Sequence, residues 1–387
     1  MKILLCGPVE TEAIRQATGL TFEGAPHGTV QTPVVPLAAQ LWRQHHEVHL
    51  ITLDPTSETV QTFREGSFLI TYCPLRASPK YRARVRALDM FEKEIRSLTD
   101  VMVNSSPDFV HAHWTYEYAE AAVRSRLPHL VTMHDLGWDY FAHFRDAYRA
   151  IRLLMKYRVM PRVRNLAVVS PFMKTKVWQY GYFGQTWVVP NGIAVPAFDE
   201  AAVEGRLQRP IKIVTIGNPA RIKNVQASVA AFRKLRSRWP TAELHLFGPG
   251  LDHSYAQHED GIFPHGGVLH RELMQFLERE ATVLVHPARL ETFGVTIVEA
   301  KARSIPVVAG ARSGGVPYVC GHNAGCALVD VRCADAIADA LIRLLSDQRS
   351  YCASARLGWE DAKARFGIES VSDTYARLYS SILERWT

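Results

Sequence analysis

TVLVHPARLETFGVTIVEAKARSIPVVAG, residues 282–310, decides the fold. TVLVHP reads as a buried strand ending near Pro287, and IPVVA as a second one. VTIVEAKARS between them reads as a helix starting near Gly294 or Val295. Strand, loop, helix and strand in one short stretch is the unit of a parallel sheet. The stretch also carries two acids, Glu291 in the loop and Glu299 in the second helical turn. Acids among apolar runs are costly to bury unless something pairs with them.

The same alternation extends in both directions. KILLCG, EVHLITL, SFLITYC, FVHAHW, HLVTMHD and LAVVS read as strands of a first half, with helical stretches such as Pro36–His45 and Tyr81–Leu98 between them. IKIVTIG, AELHLFG, TVLVHP and IPVVA are strands of a second half. VQASVAAFRKLRSRW and RELMQFLERE are helices of that half. The expected class is α/β, two doubly wound Rossmann-like domains facing across a cleft. The first covers 1–190 and the second 191–368, joined through the Pro- and Gly-bearing stretch 187–210. A final helix over 369–387 has Val371, Tyr375, Leu378 and Ile382 at helical spacing.

Composition bounds the class. The chain has 387 residues, 47% hydrophobic and 21% charged, enough for two cores. No run approaches the roughly 18 apolar residues of a spanning helix, and the first residues read as a strand rather than a signal peptide. Six cysteines without metal-ligand spacing suit reduced thiols in a cytoplasmic protein. The net charge of +7 lies mostly in residues 1–190, with 22 Lys+Arg against 17 Asp+Glu. That favours acidic partners, or simply a solvated surface. Nucleic acid is not expected, since the basic residues lack interleaved aromatic platforms. Residues 141–164, FAHFRDAYRAIRLLMKYRVMPRVR, read as a basic amphipathic helix. It suits either peripheral contact with an anionic membrane or packing with a solvated basic face.

Polar residues that follow strands are the site candidates: His111 and His113, His134 and Asp135, Asn218 to Asn224, and Arg289 to Gly294. His111 and His113 alternate on a strand and so share a face. The free N–H groups of Phe293, Gly294 and Val295 at a helix mouth suit a phosphate. Glu299, one turn deeper, can accept two hydrogen bonds from a cis-diol such as that of a ribose. Spacing alone leaves a second reading open: Glu291 as a helix N-terminal charge and Glu299 as a surface residue.

Glu291-x7-Glu299, followed by Ser313-Gly314-Gly315-Val316-Pro317, resembles the retaining GT-B glycosyltransferases of family 4. PDFVHAHW, LVTMHD, AVVSPFM, VVPNGI and IVTIGNPARIKN follow in the family's order. The resemblance implies a nucleotide-sugar donor held mainly by the second domain, and a saccharide or lipid-linked acceptor bound by the first. It implies that Glu299 grips the ribose, that Glu291 contacts the donor sugar, and that His113 lies by the reacting centre. The backbone at Phe293-Gly294 and Gly314-Gly315 would line the diphosphate and sugar, and the final helix would cross back onto the first domain. No metal or other cofactor is expected. The implied setting is bacterial-type surface polysaccharide or glycoconjugate synthesis. Three departures stand out: Asn218 follows Gly217 where an Arg is common, Gly28 stands alone where the first loop usually has a Gly pair, and Ala194 replaces a frequent Asp. Lys223 keeps its place, and Arg221 is close enough to supply the second cation. A GT-B nucleotide-sugar epimerase and a non-catalytic nucleotide-sugar-binding scaffold are the rival readings.

Overall fold

Eight strands of the first half pair into one sheet: β1 (Lys2–Cys6), β2 (Glu47–Asp54), β3 (Gln61–Glu65), β4 (Phe68–Pro74), β5 (Phe109–His113), β6 (His129–Met133), β7 (Leu166–Val168) and β8 (Thr186–Val188). Their order is β3-β4-β2-β1-β5-β6-β7-β8, and only β3 runs antiparallel to its neighbour. The central strand β1 is fully buried from Ile3 to Cys6, as a strand with helices on both faces must be. The second half forms a parallel sheet from β9 (Lys212–Ile216), β10 (Glu243–Phe247), β11 (Ile262–Gly266), β12 (Val283–His286), β13 (Val307–Gly310) and β14 (Cys326–Val329). Its order is β11-β10-β9-β12-β13-β14.

The computed structural model describes residues 1–30, 32–76, 85–255, 260–321 and 324–386. It divides into two units, residues 1–192 with 368–387, and residues 193–367. The helix Ile368–Leu383 places Val371, Tyr375, Tyr379 and Ile382 in the core of the first unit. Both units are Rossmann-like, and each has a point where strand order reverses. In the second, the chain leaves β9 toward β11 and returns to lay β12 on the other side of β9. The loops after β9 and β12 therefore adjoin at the carboxyl end of the sheet, where such sheets bind ligands. In the first, β1 and β5 stand in the same relation.

Strands absent from the sequence reading are β3, β8, β11 and β14. Each is short or lies at a sheet edge: β3 alternates exposed and half-buried positions, β8 has three residues, and β11 contains Pro264 and ends in Gly266. The expected 187–210 connection also holds the helix Glu200–Gly205. Of the expected Tyr81–Leu98 helix, residues 81–84 lie outside the described residues, and the main helix there is Glu92–Ser105.

The basic stretch 141–164 is not one helix. It breaks between Gly137–Phe144 and Ala147–Val159, where Arg145 turns left-handed with φ 47°. Asp146 caps the second helix by accepting from the Arg149 N–H. Lys156 is fully buried and donates to Asp135, and Arg152 pairs with Glu117. These two cations point inward because Glu117, opening the helix after β5, and Asp135, in the loop after β6, meet them there, which helical spacing cannot reveal.

Candidate functional site

In the second unit, the helix Val295–Ala302 starts where expected, with Gly294 preceding it at φ 99°. A left-handed backbone there favours glycine. The N–H groups of Phe293, Gly294 and Val295 have no acceptor among the described residues, so the helix mouth offers unsatisfied donors. The Phe293 ring itself is buried against Phe366, with ring centroids 5.7 Å apart. Its contribution to the mouth is backbone only.

Glu291 lies at this mouth. Its N–H donates to the Ser313 carbonyl at 3.3 Å, and its carbonyl accepts from the Gly315 N–H at 2.8 Å. The two loops named by the sequence are thus tied by backbone bonds. Its Oε1 accepts from Lys223 Nζ at 2.5 Å. His286 Nε2 stands 3.5 Å from the same oxygen, at the outer limit of a hydrogen bond. Burial alone would raise the carboxyl's pKa, but His286 and the Lys223 charge outweigh it and hold the group at about 2. Glu291 is therefore an anion at neutral pH. Its pairing with Lys223 across the β9 and β12 loops was not expected from the sequence, which gave the two residues separate tasks.

Glu299 is largely buried and takes a hydrogen bond from His270 Nε2 at 2.7 Å. His270 opens the helix His270–Arg279 and carries no motif signal, so sequence reasoning passed over it. Gly217 closes β9, its N–H donating to the Phe247 carbonyl at 2.9 Å. Here Gly248 is required: a Cβ on it would lie 1.7 Å from the Gly217 carbonyl oxygen. Asn218 turns its Oδ1 to the Ala220 N–H at 3.0 Å, a local turn bond. Arg221 is exposed and has no ion pair among the described residues. Asn224 precedes the helix Val225–Leu235, yet its side chain does not cap it. At φ 53° that side chain is directed instead to the carbonyls of Pro287, at 3.1 Å, and Val331, at 2.8 Å. Asn224 is a clasp between loops rather than a helix cap.

The first unit holds a second constellation. His111 and His113 do share a face, with ring centroids 4.1 Å apart. His111 is satisfied at both nitrogens, by Tyr379 at 2.7 Å and Thr132 at 2.7 Å. His113 meets His134 at 2.9 Å through Nδ1, while its buried Nε2 has no partner among the described residues. Buried polar atoms are normally paired, and His113 differs from His111 in this unpaired nitrogen. Burial, then the neighbouring imidazole, pushes His111 and His113 well below the usual histidine range; burial brings His134 to about 4. All three are neutral at pH 7. Trp114 follows with φ 67°, a strained backbone for an aromatic residue. It lines a cavity of about 240 Å³ with Tyr116, Tyr118, Asp135, Tyr148 and Arg152. Gly28 also belongs to this unit, at φ 76°, where a Cβ would strike the Val9 carbonyl oxygen at 2.3 Å.

Among the described residues, no three His, Cys, Asp or Glu side chains are placed to hold a metal ion, and no helix is long and apolar enough to cross a membrane.

Comparison with known proteins matches residues 198–358 to the model of "Glycosyl transferases group 1" and residues 30–195 to that of "Glycosyltransferase Family 4". A GDP-mannose-dependent alpha-(1-6)-phosphatidylinositol monomannoside mannosyltransferase of Mycobacterium tuberculosis is 26% identical over 264 residues, covering 62% of this chain. The chain spans 65% of that relative's length. The sucrose-phosphate synthase structure from Thermosynechococcus elongatus superposes with a TM-score of 0.76 at 21% identity, covering 100% of both chains. An Anabaena protein solved with UDP and glucose gives 0.69 at 16% identity, covering 98% of this chain and 100% of its own. Both structures share the GT-B fold with this chain.

Proposed function

The chain belongs to the GT-B glycosyltransferases of group 1 and family 4, and on that footing we propose that it moves a sugar from a nucleotide-sugar donor to a saccharide or lipid-linked acceptor, with retention at the anomeric carbon. The observation that carries the reading is the mouth of helix Val295–Ala302. Unsatisfied N–H groups, the Lys223–Glu291 pair and the His270–Glu299 pair all lie along it. A diphosphate suits the N–H groups and Lys223, and a ribose diol suits Glu299. Lys223, with Arg221 close by, would stabilise the charge that grows on the departing diphosphate. Glu291, held ionised, would contact the donor sugar. Donor use by relatives supports the class: one is GDP-mannose-dependent, and another was solved with UDP and glucose.

In the first unit, His113 offers a neutral, unpartnered Nε2 to the reacting sugar, and the aromatic cavity beside it suits an acceptor ring. Gly28, which lies in the same unit, would complete the donor contacts. The setting would be synthesis of a surface polysaccharide or glycoconjugate in the cytoplasm. Peripheral contact with an anionic membrane would rest on the exposed Arg145 and Arg158, because Arg152 and Lys156 face inward.

A thermal-shift panel of nucleoside diphosphates and their sugars tests donor binding. NMR of the product's anomeric proton then tests retention. Stabilisation by none of the nucleotides would overturn the reading. Donor consumption without an acceptor would favour an epimerase, and binding without turnover a scaffold.

A further inference from the structure

Three arginines of the second unit converge outside the groups assigned above. Arg289 follows β12, Arg312 follows β13 and Arg332 follows β14. With Ser313, Asp330 and Val331 they line a cavity of about 230 Å³. That is several times the ~30 Å³ share of one water, room for a phosphoryl group and part of its carrier.

The charges in this cavity do not balance. One carboxylate, Asp330, faces three guanidinium groups, and its Oδ1 already accepts from the Arg332 N–H at 2.9 Å. None of the three arginines has an ion pair among the described residues. Arg289 Nη2 donates to Asn224 Oδ1 at 3.2 Å, but its Nε is buried with no partner among the described residues. A buried guanidinium N–H without an acceptor is costly, and like charges converging on one cavity repel. An anion with several acceptor oxygens would relieve both, and the guanidinium fork matches phosphate in particular.

We propose that this cavity binds a phosphate monoester, at a site separate from that of the donor diphosphate. The two sites share a wall. Ser313 lines the cavity, and its carbonyl accepts the Glu291 N–H at 3.3 Å. An occupant that orders Arg312 and Ser313 therefore bears on the loop that positions Glu291. The monoester is either a phosphate on the acceptor or a separate phosphorylated effector.

Inorganic phosphate is titrated into the 387-residue chain, by calorimetry and thermal shift, with and without saturating UDP, or whichever nucleoside diphosphate the thermal-shift panel selects in its place. Wild type is compared with Arg312→Ala/Arg332→Ala, two exposed positions whose truncation leaves the core intact. The expected result is saturable binding that persists in the presence of UDP and weakens about tenfold or more in the variant. UDP binding itself stays unchanged. Phosphate binding that UDP abolishes, that the variant retains in full, or that wild type lacks would overturn the site. This readout needs no turnover, so it stands or falls apart from the transferase reading. A hexose 6-phosphate then separates the sources. Glycosylation of that compound, with a raised KM in the variant, makes it the acceptor. An altered rate on an unphosphorylated acceptor, lost in the variant, makes it an effector.

Discussion

Two histidines two positions apart on β5 carry opposite loads. Replacing His111 by Ala strands the Tyr379 hydroxyl inside the core and leaves the Thr132 hydroxyl only its 3.3 Å contact with Tyr375. It is expected to cost about 2–4 kcal/mol, read in urea unfolding. Replacing His113 by Ala removes the single 2.9 Å bond to His134, its Nε2 having no partner among the described residues. The expected effect is on kcat, about 10²-fold or more, with nucleotide affinity unchanged. Equal turnover in the variant and wild type would remove His113 from the reaction. For Glu299→Ala, donor affinity is expected to drop about tenfold to a hundredfold by calorimetry, the loss of one charge-assisted contact of roughly 1.5–3 kcal/mol, with the melting curve intact. His270→Ala is expected to lower affinity less, because on the proposed reading His270 acts only by orienting Glu299.

Loops and caps set the behaviour of elements. The Lys223–Glu291 pair joins the β9 and β12 loops, and its pH dependence has a definite sign. Folding lowers the Glu291 carboxyl from an ordinary value of 4.5 to about 2. Its contribution to stability is therefore full above pH 4.5 and is lost as pH falls toward 2. In Lys223→Met the carboxyl is expected to titrate higher, by NMR, and acid unfolding to begin at higher pH. An unmoved titration would mean that His286 alone holds the anion. On the helix Ala147–Val159, Arg152→Glu is expected to lower the melting temperature by opposing Glu117. Arg145→Gln with Arg158→Gln is expected to change stability little, since Arg124 and Arg162 still meet Glu120, and to abolish co-sedimentation with anionic vesicles. Vesicle binding that survives this change would move any membrane contact elsewhere. These elements also mark the limit of pattern reading. The 3.6-residue period placed the start of the helix Val295–Ala302 at Gly294 or Val295 and ran its end two residues long, yet it ran the 141–164 stretch through a break made by one left-handed residue and one capping aspartate.

At the scale of the whole molecule, the last helix belongs to the first unit, not to the segment that precedes it. Deleting residues 368–387 removes Val371, Tyr375, Tyr379 and Ile382 from that core. The first unit is then expected to aggregate or bind a hydrophobic dye, while the fragment 193–367, whose strands and core are its own, is expected to unfold cooperatively. A stable, dye-free deletion variant would contradict this. What the sequence determined by itself was whatever is local. Apolar period and loop chemistry placed ten of the strands, the helix mouth at Gly294, and the loops that carry Lys223, Glu291 and Glu299. What only the tertiary structure decided was pairing between distant residues: His111 with Tyr379, Lys223 with Glu291, His270 with Glu299, and the three arginines after three successive sheet neighbours. The reason is physical. Backbone period depends on neighbours a few residues away, whereas a side chain's partner depends on which elements lie side by side: parallel strands joined by crossovers bring Lys223 to Glu291, 68 positions apart, and the last helix brings Tyr379 to His111, 268 apart.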